Sequence, residues 1–250
     1  MSEAVPTLTR MRERRQLDGN GITISCLMDG PVDAPPMVLV HGGSLNAQNW
    51  APVMDVLADD YRVYAPDPRG HGQSSWPAEY SFGLLAADVD AFVRALGLSS
   101  VVLVGHSIGG ATVLLAAQQR PDWLAALMLE EPTVIRPGLP TIYPPKCPDG
   151  TTGVDWDAVV HGLYADFNDP NPAYWDRLAD IDVPTLVFVG ADENLNPKQE
   201  RMHEAAALIP DVRVRTIAVG HRVHEVAPDR FLDALSAFLG PSGPTPRLVG

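Results

Sequence analysis

The densest chemical signal in the chain is Gly105-His106-Ser107-Ile108-Gly109, with Gly110 directly after it. It follows the apolar run Val101-Val102-Leu103-Val104 and opens an Ala- and Leu-rich stretch that stops before Pro121. A G-x-S-x-G segment between a strand and a helix sets its serine on a sharp, strained turn. The flanking glycines let strand and helix approach without a Cβ clash. The hydroxyl of Ser107 then projects from the sheet edge, and the first N–H groups of the helix face the space where an oxyanion would develop. Serine is a weak nucleophile at neutral pH, so acyl transfer needs a base beside Oγ. Histidine suits that task, and two stand close together late in the chain, His221 and His224, in Gly220-His221-Arg222-Val223-His224.

An imidazole that cycles its charge needs a carboxylate to orient it, and four are candidates. Glu130 and Glu131 stand in Leu129-Glu130-Glu131-Pro132, at the end of an apolar run. Asp192 and Glu193 stand in Gly190-Ala191-Asp192-Glu193, ahead of Pro197. A carboxylate at the end of a strand, about to be covered by an insert, is costly without a partner. One imidazolium supplies that partner, which favours the earlier pair, Glu130 and Glu131, over Asp192 and Glu193 and leaves the choice within it open.

These residues need a frame. Strands are predicted at 22–28, 37–40, 61–67, 101–105, 124–130, 185–190 and 212–219. Runs such as Val101–Gly105 and Thr185–Gly190 are apolar on both faces, as in a parallel sheet covered on both sides. Helices are predicted at 84–96, 109–119 and 228–239. In the first, Leu85, Val89, Phe92 and Leu96 form one stripe; in the last, Phe231, Leu235, Phe238 and Leu239 do. The alternation implies an α/β fold with a doubly wound, mostly parallel sheet. Residues 1–20 read as a lead-in, 21–132 and 184–240 as the core, and 241–250 as a proline-bearing tail. Residues 133–183 break the alternation. An irregular insert of about 50 residues is usually a functional lid, with helical pieces at 155–165 and 172–179. Its aromatics Tyr143, Trp156, Tyr164 and Trp175, together with Trp50, suggest an apolar substrate pocket.

Composition narrows the partners. The 250 residues carry a formal net charge of −13, are 46% hydrophobic and are 20% charged. An acidic chain with no basic run after residue 15 is a poor ligand for nucleic acid or an anionic membrane. Cys26 and Cys147 fit no metal or redox spacing. The charged N-terminus lacks an apolar leader, and no run approaches a membrane span, so a cytoplasmic monomer or homodimer is expected. His161 and His203 have no motif around them and read as surface or lid residues.

Further motifs stand in register with the elbow. Val40-His41-Gly42-Gly43 ends the strand at 37–40, with Trp50 downstream. Asp67-Pro68-Arg69-Gly70-His71-Gly72 follows the next strand, and Gly220-His221 follows the last. In this order they resemble the α/β-hydrolase superfamily over about residues 20–240. The resemblance implies Ser107 as nucleophile. It places the base right after a glycine beyond the last strand, which selects His221 over His224. It assigns the oxyanion hole to the N–H groups of Gly43 and Ile108, and makes His41, His71, His106, Asp67 and Arg69 shapers of the loops.

The acid is similar to that of glutamate-acid haloalkane dehalogenases and zearalenone-type lactonases, since Glu131 lies 24 residues after Ser107. A serine at the elbow argues against the dehalogenases and epoxide hydrolases that use a carboxylate there. The function so implied is hydrolysis of a small, apolar carboxylic ester or lactone without metal or organic cofactor. The alternatives are a carbon–carbon bond hydrolase using the same triad and a non-catalytic ligand-binding protein.

Overall fold

A strand buried on both faces needs apolar residues at every position, and Val101–His106 (β5) meets that demand, with Val101 through Val104 all at 0% exposure. It lies in the middle of an eight-stranded sheet in the computed structural model, which describes residues 12–191 and 196–240. The other strands are β1 (Glu13–Gly19), β2 (Ile22–Asp29), β3 (Pro36–Val40), β4 (Arg62–Pro66), β6 (Leu124–Glu130), β7 (Thr185–Val189) and β8 (Val212–Thr216). Their order is β1-β2-β4-β3-β5-β6-β7-β8. From β4 onward every neighbouring pair is parallel, whereas β1–β2 and β2–β4 are antiparallel.

The helices are α1 (Ala51–Leu57), α2 (Phe82–Ala95), α3 (Ile108–Gln118), α4 (Trp156–Asn168), α5 (Ala173–Asp176), α6 (Pro197–Ala206), α7 (Val223–Val226) and α8 (Pro228–Leu239). Each start has a local cause. Ser81 accepts the Leu84 N–H to cap α2. Asn196 and Gln199 form a reciprocal capping box on α6. Pro228 opens α8, where a missing N–H costs nothing.

Two apolar layers flank the sheet. One packs α2 and α3 against residues such as Val38, Leu103 and Leu127; the other packs α1 and α8 against Leu39, Val104 and Met128. The described helices include none long and apolar enough to cross a membrane.

One expectation is corrected, and two features are added. Residues 13–19 are no loose lead-in: they form β1, paired residue for residue with β2 from Glu13–Met28 to Gly19–Ile22. The run is polar because β1 is an edge strand, exposed or half-buried along its length, so it lacks the apolar signature of the central strands. Helices α1 and α6, unassigned from sequence, cover the connections after β3 and β7. The insert is also tied down. The Gly72 N–H donates to Gly153 O at 2.6 Å, the Asp155 N–H to Gly70 O, and the Phe82 N–H to Asp166 Oδ2 at 2.7 Å. These bonds fasten α4 to the loop between β4 and α2. The tail 241–250 and residues 192–195 lie outside the described residues.

Candidate active site

The site is built at the carboxyl ends of β3, β5, β6 and β7, where an open α/β sheet places ligands. Ser107 follows β5 directly at φ 55°, ψ −115°, a left-handed conformation for a non-glycine residue that costs about 1–3 kcal/mol. Packing imposes it. A Cβ on Gly105 would strike Gly109 O, and one on Gly109 would strike the carbonyls of Val40 and His41. Only glycine lets β5, β3 and α3 approach so closely. The Ser107 N–H is held by Glu130 O at 2.9 Å, and Ser107 O accepts the Thr133 N–H at 3.0 Å. The side chain stays half-buried at the edge.

Gly43 and Ile108 are neighbours, since a Cβ on Gly43 would collide with Ile108 Cδ1. Neither N–H donates to a carbonyl among the described residues. The Gly42–Gly43 peptide is pinned from its other side. Gly42 O accepts His41 Nδ1–H at 2.8 Å and the Leu45 N–H at 3.2 Å. In a trans peptide the Gly43 N–H points opposite that carbonyl, away from both donors. Gly43 O in turn lies 2.8 Å from His71 Nε2.

Burial pulls His41 down to about 3, with His71 adding to the effect, so its ring is neutral. Burial likewise holds His106 near 4, and its Nε2 lies 2.9 Å from His221 O. Asp67 accepts the Ala47 N–H, the Gln73 N–H and Arg14 Nη1, and Arg69 makes a two-pronged bond to Asp88. These residues shape loops, as their motifs imply.

The two histidines expected to compete for the role of base separate clearly. His221 Nδ1 lies 3.3 Å from Glu131 Oε2. Its side chain is 52% exposed, and Nε2 has no hydrogen-bond partner among the described residues. His224 is 0% exposed, with Nδ1 2.6 Å from Glu130 Oε2 and Nε2 3.0 Å from Asn49 Oδ1. Only His221 offers an open nitrogen. His224 is buried against a carboxylate 94 residues away, because the loop after β8 folds back over the end of β6.

The carboxylates separate in the same way. Glu131 follows β6 at φ 44°, a second strained non-glycine residue. Its Oε1 accepts the Gly190 N–H at 2.5 Å. Burial raises its pKa, but the His221 bond, the Gly190 N–H and Gln199 outweigh burial and hold the carboxyl below its ordinary value. Asp192 and Glu193 lie outside the described residues. Gly190 and Gln199, partners of Glu131, carried no signal in the sequence; only the folding of β7 beside β6 brings them in.

The aromatics expected around a pocket divide. Trp50 is 0% exposed and stacks on the His224 ring with centroids 4.1 Å apart. It belongs to the core beneath the loops and lines no pocket, because the helical turn Ala47–Trp50 points its last side chain inward. Tyr143 is 84% exposed on the coil of the insert. Trp156, Tyr164 and Trp175 are half-buried. Tyr164 packs edge-on to Phe167, and Trp175 lies beneath Arg136, whose guanidinium carbon is 4.8 Å from the ring centroid. His161 is exposed on α4 and His203 half-buried on α6, far in sequence from any functional motif. Cys26 is a buried free thiol, pushed up by burial, and Cys147 an exposed one.

A parallel-centred sheet with a strained serine after its middle strand and a late histidine bound to a carboxylate defines the α/β-hydrolase fold. A family model described as alpha/beta hydrolase fold matches residues 35–147. The chain has the α/β-hydrolase fold. Fluoroacetate dehalogenase of Burkholderia sp is 28% identical over 91% of this chain and 93% of its own length. An sn-1-specific diacylglycerol lipase of Mus musculus is 26% identical over 85% of this chain and 83% of its own. The crystal structure of the enol-lactonase from Burkholderia xenovorans LB400 superimposes with a TM-score of 0.76. It covers 90% of this chain and 99% of that one at 23% identity, a likeness of fold alone.

Proposed function

We propose that the chain is a serine hydrolase that cleaves a carboxylic ester or lactone through an acyl-enzyme on Ser107. The observation that carries this reading is the Glu131–His221 couple, whose Nε2 has no hydrogen-bond partner among the described residues, in a chain that strains Ser107 at the end of β5.

His221 Nε2 takes the Oγ proton as Oγ attacks the carbonyl carbon. The Gly43 and Ile108 N–H groups donate hydrogen bonds to the carbonyl oxygen as negative charge grows on it. The protonated His221 gives its proton to the departing alkoxide, and water, deprotonated by the same ring, then releases the acid and frees Ser107. Glu131 holds the Nδ1–H tautomer and stabilises the imidazolium, while the Gly190 N–H keeps the carboxylate in place. Hydrolases acting on esters and on an enol-lactone among the similar proteins support this class. The dehalogenase likeness does not extend the reading to carbon–halogen bonds, because a serine elbow lacks the carboxylate that such enzymes use as nucleophile.

The substrate is proposed to be small and apolar, bordered by the half-buried Trp156, Tyr164 and Trp175 of the insert, and the protein to act as a soluble monomer or homodimer in the cytoplasm. A panel of esters and lactones of graded size, with Ser107→Ala as the blank, tests the reading. Turnover and fluorophosphonate labelling that vanish in the blank support it. Labelling that persists in Ser107→Ala refutes it.

A further inference from the structure

Beside the Glu131–His221 couple lies a second Glu–His pair that the proposed chemistry does not use. Glu130 grips His224 twice: Oε2 lies 2.6 Å from Nδ1, and Oε1 accepts the His224 backbone N–H at 3.0 Å. Both residues are 0% exposed. On the other side of the ring, Nε2 lies 3.0 Å from Asn49 Oδ1. The Asn49 amide is fixed in that sense because its Nδ2 donates to Glu225 Oε1 at 2.8 Å. A side-chain oxygen thus faces each ring nitrogen, from Glu130 at Nδ1 and from Asn49 at Nε2. Glu225 Oε1 lies 3.9 Å from Nε2, the neutral His106 ring meets His224 edge-on at 5.2 Å, and Trp50 and Phe231 close the remaining faces.

A buried polar cluster whose members are all hydrogen-bonded rigidifies the elements it joins. Here it joins the end of β6, the turn Ala47–Trp50 beyond the Gly43 loop, and the loop that carries His221. A third tie closes the circuit, since His106, on the elbow, binds the His221 carbonyl at 2.9 Å. Resting on the serine-hydrolase reading above, we propose that His224, clamped by Glu130 and Asn49, is a positioning residue. It locks the loop that carries His221 between the end of β6 and the turn Ala47–Trp50, and so holds the His221 ring where Glu131 binds it.

The test compares His224→Phe, Glu130→Gln and the milder Asn49→Ala, read by kcat, KM, Tm and the rate of fluorophosphonate labelling. His224→Phe keeps an aromatic ring over Trp50 and the backbone bond to Glu130 but removes both ring-nitrogen ties, and it is expected to lower kcat and labelling by about tenfold to a hundredfold with KM within threefold. Asn49→Ala is expected to lower kcat by roughly threefold to tenfold with Tm nearly unchanged, which decides the matter even where a buried variant folds poorly. The double change at 130 and 224 is expected to cost no more than the worse single change, as for residues acting as one unit. Wild-type protein that takes no label refutes the hydrolase reading and this one with it. Labelled wild type with kcat of His224→Phe and Asn49→Ala within twofold, or a lowered Tm alone, overturns this proposal and leaves the hydrolase reading intact.

Discussion

Glu131 Oε2 lies 3.3 Å from His221 Nδ1, across 90 residues of intervening chain. The same carboxylate is gripped on its other oxygen by the Gly190 N–H, so it enters the couple already oriented. Glu131→Gln keeps the shape but offers an amide where the ring needs an acceptor. In a serine hydrolase the expected loss in kcat is on the order of a thousandfold to ten-thousandfold, with KM little changed. Steady-state kinetics of Glu131→Gln beside Glu193→Gln checks it. A large loss confined to Glu193→Gln would move the acid to the loop after β7.

Ser107 is strained, and the strain has a measurable consequence. Ser107→Gly removes the left-handed penalty along with the hydroxyl. The variant is expected to be inactive yet more stable than wild type by about 1 kcal/mol. Chemical denaturation of both proteins reads the difference. A less stable variant would mean that the turn carries no stored strain.

Two neutral histidines make stability depend on pH. His41 and His106 have pKa values of about 3 and about 4 in the fold, against 6.5 for a free imidazole. As pH falls below 6.5 the unfolded chain takes up protons that the folded chain refuses, so stability drops. The drop ends only when the folded rings protonate, near 3 to 4. By pH 5 each ring accounts for roughly 2 kcal/mol of that loss. Unfolding free energies measured from pH 7 to pH 5 are expected to fall, and His41→Gln to flatten the slope. An unchanged slope in that variant would show that the ring is not held neutral.

Trp50 and Tyr143 were both expected at a pocket, and the fold predicts opposite behaviour for them. Trp50→Ala empties a fully buried site and is expected to cost about 3–5 kcal/mol. Tyr143→Ala, at an exposed position, is expected to change stability by no more than about 0.5 kcal/mol and to leave KM within twofold. Thermal denaturation and ester kinetics separate the two. A severalfold rise in KM for Tyr143→Ala would return that residue to the substrate path.

Ser107, the alternation of strands and helices, and the position of His221 after the last strand were legible because each rests on local rules. A serine between small residues at a strand–helix junction, an apolar run buried on both faces and a 3.6-residue stripe all show in a few consecutive letters. The edge strand β1 was not, since a strand open to solvent has no apolar pattern to read. The resemblance favoured His221 and Glu131, but nothing in the neighbouring letters showed what Glu130 and His224 would bind. Glu130 and Glu131 are adjacent, as are the turns that bear His221 and His224, and local spacing treats the members of each set alike. The fold divided them. Successive residues past a strand end leave in different directions, so Glu130 turns down to a buried ring and Glu131, at φ 44°, turns out to an exposed one. Which imidazole keeps a free nitrogen is a property of packing across β6, β7 and the turn at Asn49, and long-range contacts of that kind leave no mark on neighbouring letters.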